Sequence, residues 1–433
     1  MKRILLLIVL VQWVGCSNTK DEVSPPDAAS DSPIADAAKP PPLELTPDLC
    51  DDPSNLALLM DSMSSGDSSP SFGEVNTEQV LRMIEAPTEG PFYMVNLIRY
   101  REQAQYADGR ATNLTGREAN ALYSPIEFIT AIGARIVFVG EVASTTTGAA
   151  GVWDDVAIVE YPCPLAFFAM AAHPEFQARS EHKKAGVEAT IVMVTHRQPL
   201  EDVEPAESPF PATADDPAFE WVRVNRYREQ AQYSEDANEP SRTGQEAMDL
   251  YIESVRDAEK QLGVYPKAHL KVQGVFIGDG RAWDEVWIDV VPSNAAFEAL
   301  AADPAVAAAQ YHLEAALEDA YGLVTHPMIS TISGDGGGEG LALPPVTADG
   351  TGTICQTDDD CPGNGVDKCF KPDAAGGFCS REGCGPGQCE SPYVCCRDCN
   401  AAVASLLPFE GSICLPGLAV AQLTAAPASC TCD

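Results

Sequence analysis

From residue 92 onward, short apolar runs alternate with longer stretches in which apolar side chains recur every three or four positions. Phe92 to Tyr100 is strand-like, and Thr115 to Gly133 has helical spacing interrupted by Pro125, which predicts a kinked or split helix. Ala134 to Val142 and Val152 to Tyr161 read as strands, Leu165 to Val187 as a helix and Ala189 to His196 as a closing strand. The same succession of elements then occurs a second time and ends at His326.

The recurrence is literal at a shift of about 130 residues. The eight residues Arg99 to Tyr106 return unchanged as Arg226 to Tyr233, and Thr115 to Tyr123 returns with substitutions as Thr243 to Tyr251. Trp153-Asp154 matches Trp283-Asp284, His182 matches His312, and Val194 to His196 matches Val324 to His326. Matches in the same order identify a duplication of a βαββαβ unit, the ferredoxin-like arrangement, in which one antiparallel sheet carries helices on a single face. Two such units in one chain predict an α+β fold whose bare sheet faces come together as an intrachain barrel.

The repeats are assigned to residues 76–198 and 217–330, joined by an acidic, proline-bearing linker. Ahead of them, Ser17 to Val75 holds twelve acidic residues against two lysines and little apolar periodicity, so residues 16–75 are predicted to be a disordered tether. Residues 331–350 form a Gly-rich linker and 351–433 a cysteine-rich module. The run Gly334 to Gly340 lacks the Lys-Ser/Thr ending and the strand-to-helix context of a phosphate loop.

Twelve of the fifteen cysteines lie in that last module: Cys355, Cys361, Cys369, Cys379, Cys384, Cys389, Cys395, Cys396, Cys399, Cys414, Cys430 and Cys432. A short segment poor in large apolar side chains needs crosslinks to hold its shape, most simply six disulfides of open connectivity, and an oxidising exported compartment permits them. The Cys396-x-x-Cys399 spacing reads as halves of ordinary bridges rather than as zinc or redox chemistry. Cys50 and Cys163 offer one further pair with each other, and the sequence leaves their role open.

Residues 1–15 open with Met1-Lys2-Arg3 and an apolar run from Ile4 to Val14, which marks a secretory signal too short to be a permanent span. Gly15-Cys16 resembles the lipobox of bacterial lipoproteins, although Trp13 stands where that motif usually has leucine. The resemblance implies cleavage ahead of Cys16, a lipid on its thiol, and a periplasmic or cell-surface protein held at a membrane by that lipid. The other reading is a plain signal cut elsewhere. A net charge of −37 would repel nucleic-acid phosphates, so that class of partner is set aside. Six scattered histidines give no metal-ligand spacing, and no metal or cofactor is expected.

Met94 to Arg101, Thr115 to Glu118, Trp153 to Pro162, Phe168 to Met170 and His182 together resemble the uncharacterised "thirteen-thirty" domain-of-unknown-function family. That family is part of the dimeric α+β barrel superfamily, whose members include oxygenases, decarboxylase-like and dismutase-like enzymes and plain binding proteins. The resemblance implies the barrel but leaves activity open. The second repeat departs from it, with Arg223 in place of Asn96 and Leu313 after His312.

Strand alternation supplies candidate site residues. Val95 and Leu97 match Val222 and Val224, and Val156 and Ile158 match Val286 and Ile288; this shared chemistry predicts a face held against helices. The alternate positions, among them Asn96, Trp221, Arg223, Asn225, Glu285, Trp287 and Asp289, are then expected to line the lumen and to bind an anionic or aromatic small molecule. Mutual satisfaction of the charges as buried ion pairs is the competing expectation. His182 and His312 are candidates for general acid/base catalysis, against a structural or capping role. The function expected is small-molecule binding by a membrane-anchored protein, with the cysteine-rich module contacting another protein or surface. The alternatives are a cofactor-free oxygenase or isomerase, and a structural or adhesive protein with an inert barrel.

Overall fold

The computed structural model describes residues 43–57, 71–123, 125–149, 151–200, 207–213, 215–234, 237, 239–332 and short stretches between 354 and 432. The first repeat is preceded by β1 (Glu74–Val75) and α1 (Thr77–Glu85). It comprises β2 (Phe92–Tyr100), α2 (Gly116–Tyr123), α3 (Ile126–Ala131), β3 (Arg135–Thr147) and β4 (Asp155–Tyr161), then α4 (Pro164–Ala172), α5 (Pro174–Gly186) and β5 (Val187–Arg197). The second comprises β6 (Phe219–Tyr227), α6 (Gly244–Leu262), β7 (Tyr265–Gly278), β8 (Glu285–Val291), α7 (Asn294–Ala301), α8 (Pro304–Ala316) and β9 (Leu317–Ser330).

Pro125 splits the first helix of the first repeat as its sequence predicts, whereas α6 is continuous and closes on Gly263 in the left-handed region at φ 75°. The single helix expected over 165–187 is instead two. His173 takes an extended backbone ahead of Pro174, and Asp303 does the same ahead of Pro304 in the second repeat. A proline ring disfavours the helical conformation for the residue before it, so each break follows from the sequence.

Each repeat orders its strands as a ferredoxin-like sheet, β5-β2-β4-β3 and β9-β6-β8-β7. The second and last strands of each repeat are long, and their free edges join across the repeats. β3 pairs with β9 from Phe138↔Ser330 to Thr147↔Gly322, and β5 pairs with β7 from Val192↔Ile277 to Arg197↔Leu270. With β7 also bonded to β8, eight strands close into a barrel without a second molecule, and β1 adds to the far end of β7.

One buried apolar cluster draws on both repeats: Val95, Leu97, Val156, Ile158, Ile191 and Met193 meet Val222, Val224, Val286, Ile288 and Leu323. Only the barrel interior can bring these strands' side chains together, and eight strands enclose a space just wide enough for side chains to fill. The faces assigned from the sequence are therefore reversed. The shared aliphatic positions line the interior, and the alternate positions lie under each repeat's own helices. Trp153, Trp283 and Tyr321 meet in that same cluster, Tyr321 lying edge-on to the first ring at 5.8 Å and tilted against the second at 5.2 Å.

The folded part also begins earlier than residue 76. Leu43, Leu45, Leu49, Cys50 and Leu56 pack on the helix-side cluster of the first repeat, and Cys50 is bonded to Cys163. Phe72 packs on Ile98 and Val187. The disordered tether predicted over 16–75 is therefore corrected for 43–57 and 71–75, where five apolar side chains and one crosslink offset the cost of ordering the chain. The signal segment, Cys16 and the chain up to residue 42, residues 58–70 and 333–353 lie outside the described residues; of the Gly-rich linker predicted over 331–350 only Thr331 and Ile332 are described, and Ile332 is buried in the interior cluster.

In the C-terminal module β10 (Ile354–Cys355), β11 (Lys368–Asp373) and β12 (Gly376–Ser380) form one small sheet; β13 (Tyr393–Arg397), β14 (Ser412–Pro416) and β15 (Thr431–Cys432) form another. Cys384 bonds Cys395 and Cys389 bonds Cys414, while Cys361 and Cys396 are disulfide-bonded too. The side chains of Cys355, Cys369, Cys379, Cys399, Cys430 and Cys432 lie outside the described residues. Among the described residues no helix is long and apolar enough to cross a membrane.

Candidate functional site

Six of the seven candidate ligand-binding residues lie on β6 and β8 of the second repeat, adjacent strands in register Trp221↔Asp289, Arg223↔Trp287 and Asn225↔Glu285. The structure brings them together, but beneath the helices rather than in the lumen. Arg223 donates from both Nε and Nη2 to Asp289 Oδ2 at 2.7 Å. Its guanidinium carbon lies 4.8 Å from the Trp221 ring and 5.8 Å from the Trp287 ring, so the cation is flanked by two indoles. Trp287 stacks flat on His269 at 3.8 Å, and Trp221 meets Phe297 of α7 edge-on at 5.1 Å.

Burial shapes the charges here. It raises the Asp289 carboxyl above the usual carboxylate range, against the pull of Arg223. Glu259, a half-buried residue of α6, is pushed up to about 7 by burial, against the attraction of Arg223 and with the help of Asp289. His269 is pushed down to about 4 by burial, with Lys271 and Arg223 acting in the same direction. Glu285 is raised by burial, and its two oxygens face His269 Nε2 at 2.8 Å and Trp287 Nε1 at 2.9 Å. Near neutral pH the cluster thus holds a neutral imidazole, a carboxyl poised to exchange a proton and a paired Arg-Asp.

The first repeat answers differently at the same places. Met94, Asn96 and Ile98 stand for Trp221, Arg223 and Asn225, while Asp155, Ala157 and Val159 stand for Glu285, Trp287 and Asp289. Asn96, the seventh candidate, spends its amide on the carbonyls of Met94 and Ala157 at 3.1 and 3.3 Å. Asp155 is closed by Arg117 at 2.7 Å and by the Tyr100 hydroxyl at 2.7 Å. The counterpart of Tyr100 is Tyr227, whose buried hydroxyl has no hydrogen-bond partner. A satisfied acid in one repeat is matched by an open phenol in the other.

His182 and His312 stand apart from this cluster. Tyr106 Oη lies 2.7 Å from His182 Nδ1, and Tyr233 Oη 2.8 Å from His312 Nδ1, each ring pair edge to face. Both pairs tie the loop after the first strand of a repeat to its last helix, and burial lowers the His312 pKa. Similar duplicated anchoring recurs at Gly116 and Gly244, where an added Cβ would lie 2.4 Å from the carbonyls of Arg101 and Gly186, or 2.5 Å from that of Arg228. Thr115 and Thr243 each cap the following helix with reciprocal bonds to Glu118 or Glu246. Among the described residues three sulfurs, of Cys384, Cys389 and Cys395, have metal-ligand spacing. All three are in disulfides, which leaves no thiolate to ligate.

The residues that sequence reasoning missed are Glu259 and His269. Glu259 occupies a helical position with nothing beside it in sequence to mark burial, and His269 lies in β7, whose pairing with Trp287 of β8 could not be read locally.

No family model matches this chain, and none of the curated proteins does. Among solved structures, a protein of unknown function from Rhodopseudomonas palustris is 28% identical over 31% of this chain and 99% of its own, with a TM-score of 0.26. An anthrone oxidase-like protein is 13% identical, covering 60% of this chain and 99% of its own, with a TM-score of 0.33. A chlorite dismutase from Candidatus Nitrospira defluvii is 11% identical over 57% of this chain and 94% of its own, with a TM-score of 0.31.

Proposed function

We propose that the protein is a lipid-anchored receptor of the cell envelope that binds a small, planar aromatic molecule between the sheet and helices of its second repeat. The observation that carries the reading is the contrast at matched positions. Where the first repeat has mostly aliphatic side chains, the second holds two tryptophans, an arginine, buried carboxyls and an unpartnered phenol. Charged groups are costly to bury, and replacing them with apolar ones commonly gains stability, so their retention in one copy favours a ligand over mere stability. Trp221 and Trp287 offer ring faces, Arg223 a cation, and the Tyr227 hydroxyl and the Glu259 carboxyl hydrogen bonds.

The barrel interior is occupied by side chains, so the site belongs to the outer, helix-covered face. The tether and the lipid on Cys16 place this site at the membrane surface, and the disulfide-bonded module serves contact with a protein or surface partner.

Native mass spectrometry of the chain isolated from its own host tests the reading. The expected spectrum has an added mass below about one kilodalton in the wild type, as suits a pocket-sized ligand, and no added mass in an R223M/W287A variant. Loss of the same mass from a variant altered only at Asn96, or no retained mass together with no tryptophan quenching by aromatic acids, would sink it. Incorporation of labelled palmitate, abolished by Cys16→Ser, checks the anchor separately.

A further inference from the structure

Lys183 lies on α5 of the first repeat, away from the cluster on β6 and β8, and its amine is set between aromatic rings. Nζ lies 5.4 Å from the ring centre of Tyr123, the last residue of α2, and 5.6 Å from that of Phe72, which precedes β1. Both walls are fixed. Phe72 accepts the Thr190 amide on its carbonyl at 3.0 Å, Ser71 Oγ donates to the Lys184 carbonyl at 3.4 Å, and the Phe72 ring packs on Ile98 and Val187. Tyr123 meets Phe176 edge-on at 5.4 Å, and Phe176 meets Phe128 in the same way at 5.5 Å, so the apolar wall continues along α5 to α3.

The amine has no counter-ion in this setting. Among the described residues no oxygen is bonded to Lys183 Nζ. Neighbouring carboxylates are engaged elsewhere: Glu181 with Arg110, Glu188 with Arg99, and Glu118 of the facing α2 with the amide and hydroxyl of Thr115. Burial, helped by Tyr161, keeps the Tyr123 phenol protonated well past its usual range, so it brings no negative charge. With burial unopposed, the Lys183 pKa is pushed down to about 8, although the side chain is only half-buried and reaches solvent. A lysine desolvated among apolar groups in this way is a nucleophile near neutral pH.

The second repeat shows that the fold does not require a lysine at this place. Leu313 stands there, partly buried against Met248 and Tyr251, and Phe72 lies ahead of the duplicated part of the chain. The first repeat thus has an amine, and a second ring beside it, where an apolar side chain suffices in the other copy. A single ammonium among rings lacks the further donors that an anion needs, so an electrophile with an apolar body suits the place better.

We propose that Lys183 captures an aromatic aldehyde as a reversible imine, with Phe72 and Tyr123 as the walls beside the new bond. The unprotonated Nζ adds its electron pair to the carbonyl carbon, forming the C–N bond as the π pair of C=O moves to oxygen. Protons pass through solvent from nitrogen to that oxygen, which departs as water when C=N forms. Amine and aldehyde therefore give imine and water, with no change of oxidation state. Lowered basicity supplies the neutral amine, and the rings favour a flat apolar body on the aldehyde.

Reductive trapping tests this. The full chain is incubated at pH 7 with benzaldehyde or propanal in the presence of cyanoborohydride, and the reduced adduct is located by peptide mass mapping. Benzaldehyde should label Lys183 about tenfold or more faster than the exposed Lys260 and Lys271, whose amines are almost wholly protonated at that pH. The ratio of benzaldehyde to propanal labelling should be about threefold or more higher at Lys183 than at those two, because of the ring walls. Phe72→Leu and Tyr123→Leu should each lower that ratio, and Lys183→Met should remove the fast phase of adduct formation. The site is independent of the β6/β8 cluster, so R223M/W287A should be labelled like the wild type. Labelling of Lys183 no faster than that of Lys260, or an equal benzaldehyde-to-propanal ratio at the two, overturns the proposal. Both comparisons are read in the wild type, so they decide even where a variant fails to fold.

Discussion

The two repeats share a fold and differ at one face, and the difference separates what the fold requires from what is free to vary. Inside the barrel the repeats meet each other, and the matched pairs Val95/Val222, Leu97/Val224, Val156/Val286 and Ile158/Ile288 stay aliphatic there, although Phe138/Ala268 and Ile191/Tyr321 do not keep their residue. Under the helices each repeat meets only itself. There the first is closed by Asp155, Arg117 and Tyr100, while the second carries Arg223 between two indoles with a carboxyl of raised pKa nearby. Most of what is identical between the copies anchors the backbone: the glycines at close approaches, the helix caps and the Tyr-His pairs.

The sharpest way to break this contrast is at Asp289. Removing it strands Arg223, which should cost about 3–5 kcal/mol, whereas replacing both partners by apolar side chains should return stability to near that of the wild type. Asp289→Ala and the double variant R223M/D289V, compared by urea unfolding, supply the measurement. If the double variant is as unstable as the single, the pair is part of the architecture and the second repeat is not functionally distinct.

The anchoring residues should behave oppositely, with equal effects in both copies. Gly116→Ala and Gly244→Ala each drive a methyl into backbone carbonyls and should each cost on the order of 1–3 kcal/mol. Tyr106→Phe and Tyr233→Phe remove one hydrogen bond each, at about 1 kcal/mol apiece. Should Tyr233→Phe also abolish ligand retention while Tyr106→Phe has no counterpart effect, His312 belongs to a site and the structural reading of the duplicated pair is wrong.

The duplication, the βαββαβ order and the helix break at Pro125 were legible in the sequence because they rest on local periodicity and on exact recurrence. The clustering of Trp221, Arg223, Glu285, Trp287 and Asp289 was legible as well, since adjacent strands and alternation suffice to bring them together. Their side of the sheet was not. Alternation says which residues share a face and is silent on which face that is, and shared chemistry at Val95 and Val222 fits contact with helices as well as contact with a symmetric partner. Glu259 and His269 could not be found, because each becomes part of the cluster only through strand and helix placement that the local pattern does not encode. The early start of the fold was hidden for a different reason: Leu43, Leu45 and Leu49 are few and widely spaced among polar residues, and the partner of the neighbouring Cys50 lies 113 residues away.

The smallest effect tests the contrast through protons. Glu259 titrates at about 7 in the folded chain against an ordinary 4.5, so between these values the fold holds a proton that the unfolded chain has released. Stability contributed by this group therefore falls as pH rises from about 4.5 to about 7. His269 works in the other direction: its pKa of about 4 against 6.5 means that the unfolded chain holds the extra proton, and stability rises with pH between those values. The two slopes oppose each other over most of the same window. Glu259→Gln removes the falling branch alone, so the variant should gain stability relative to the wild type as pH is raised from 5 to 7. The change is at most about 1.4 kcal/mol per pH unit and smaller in practice, because Glu259 keeps some contact with water. Unfolding midpoints at pH 5, 6 and 7 read the difference. A profile unchanged by Glu259→Gln would mean that Arg223 and Asp289 hold each other without regard to the helix above them, and the site would lose the group best placed to exchange a proton with a ligand.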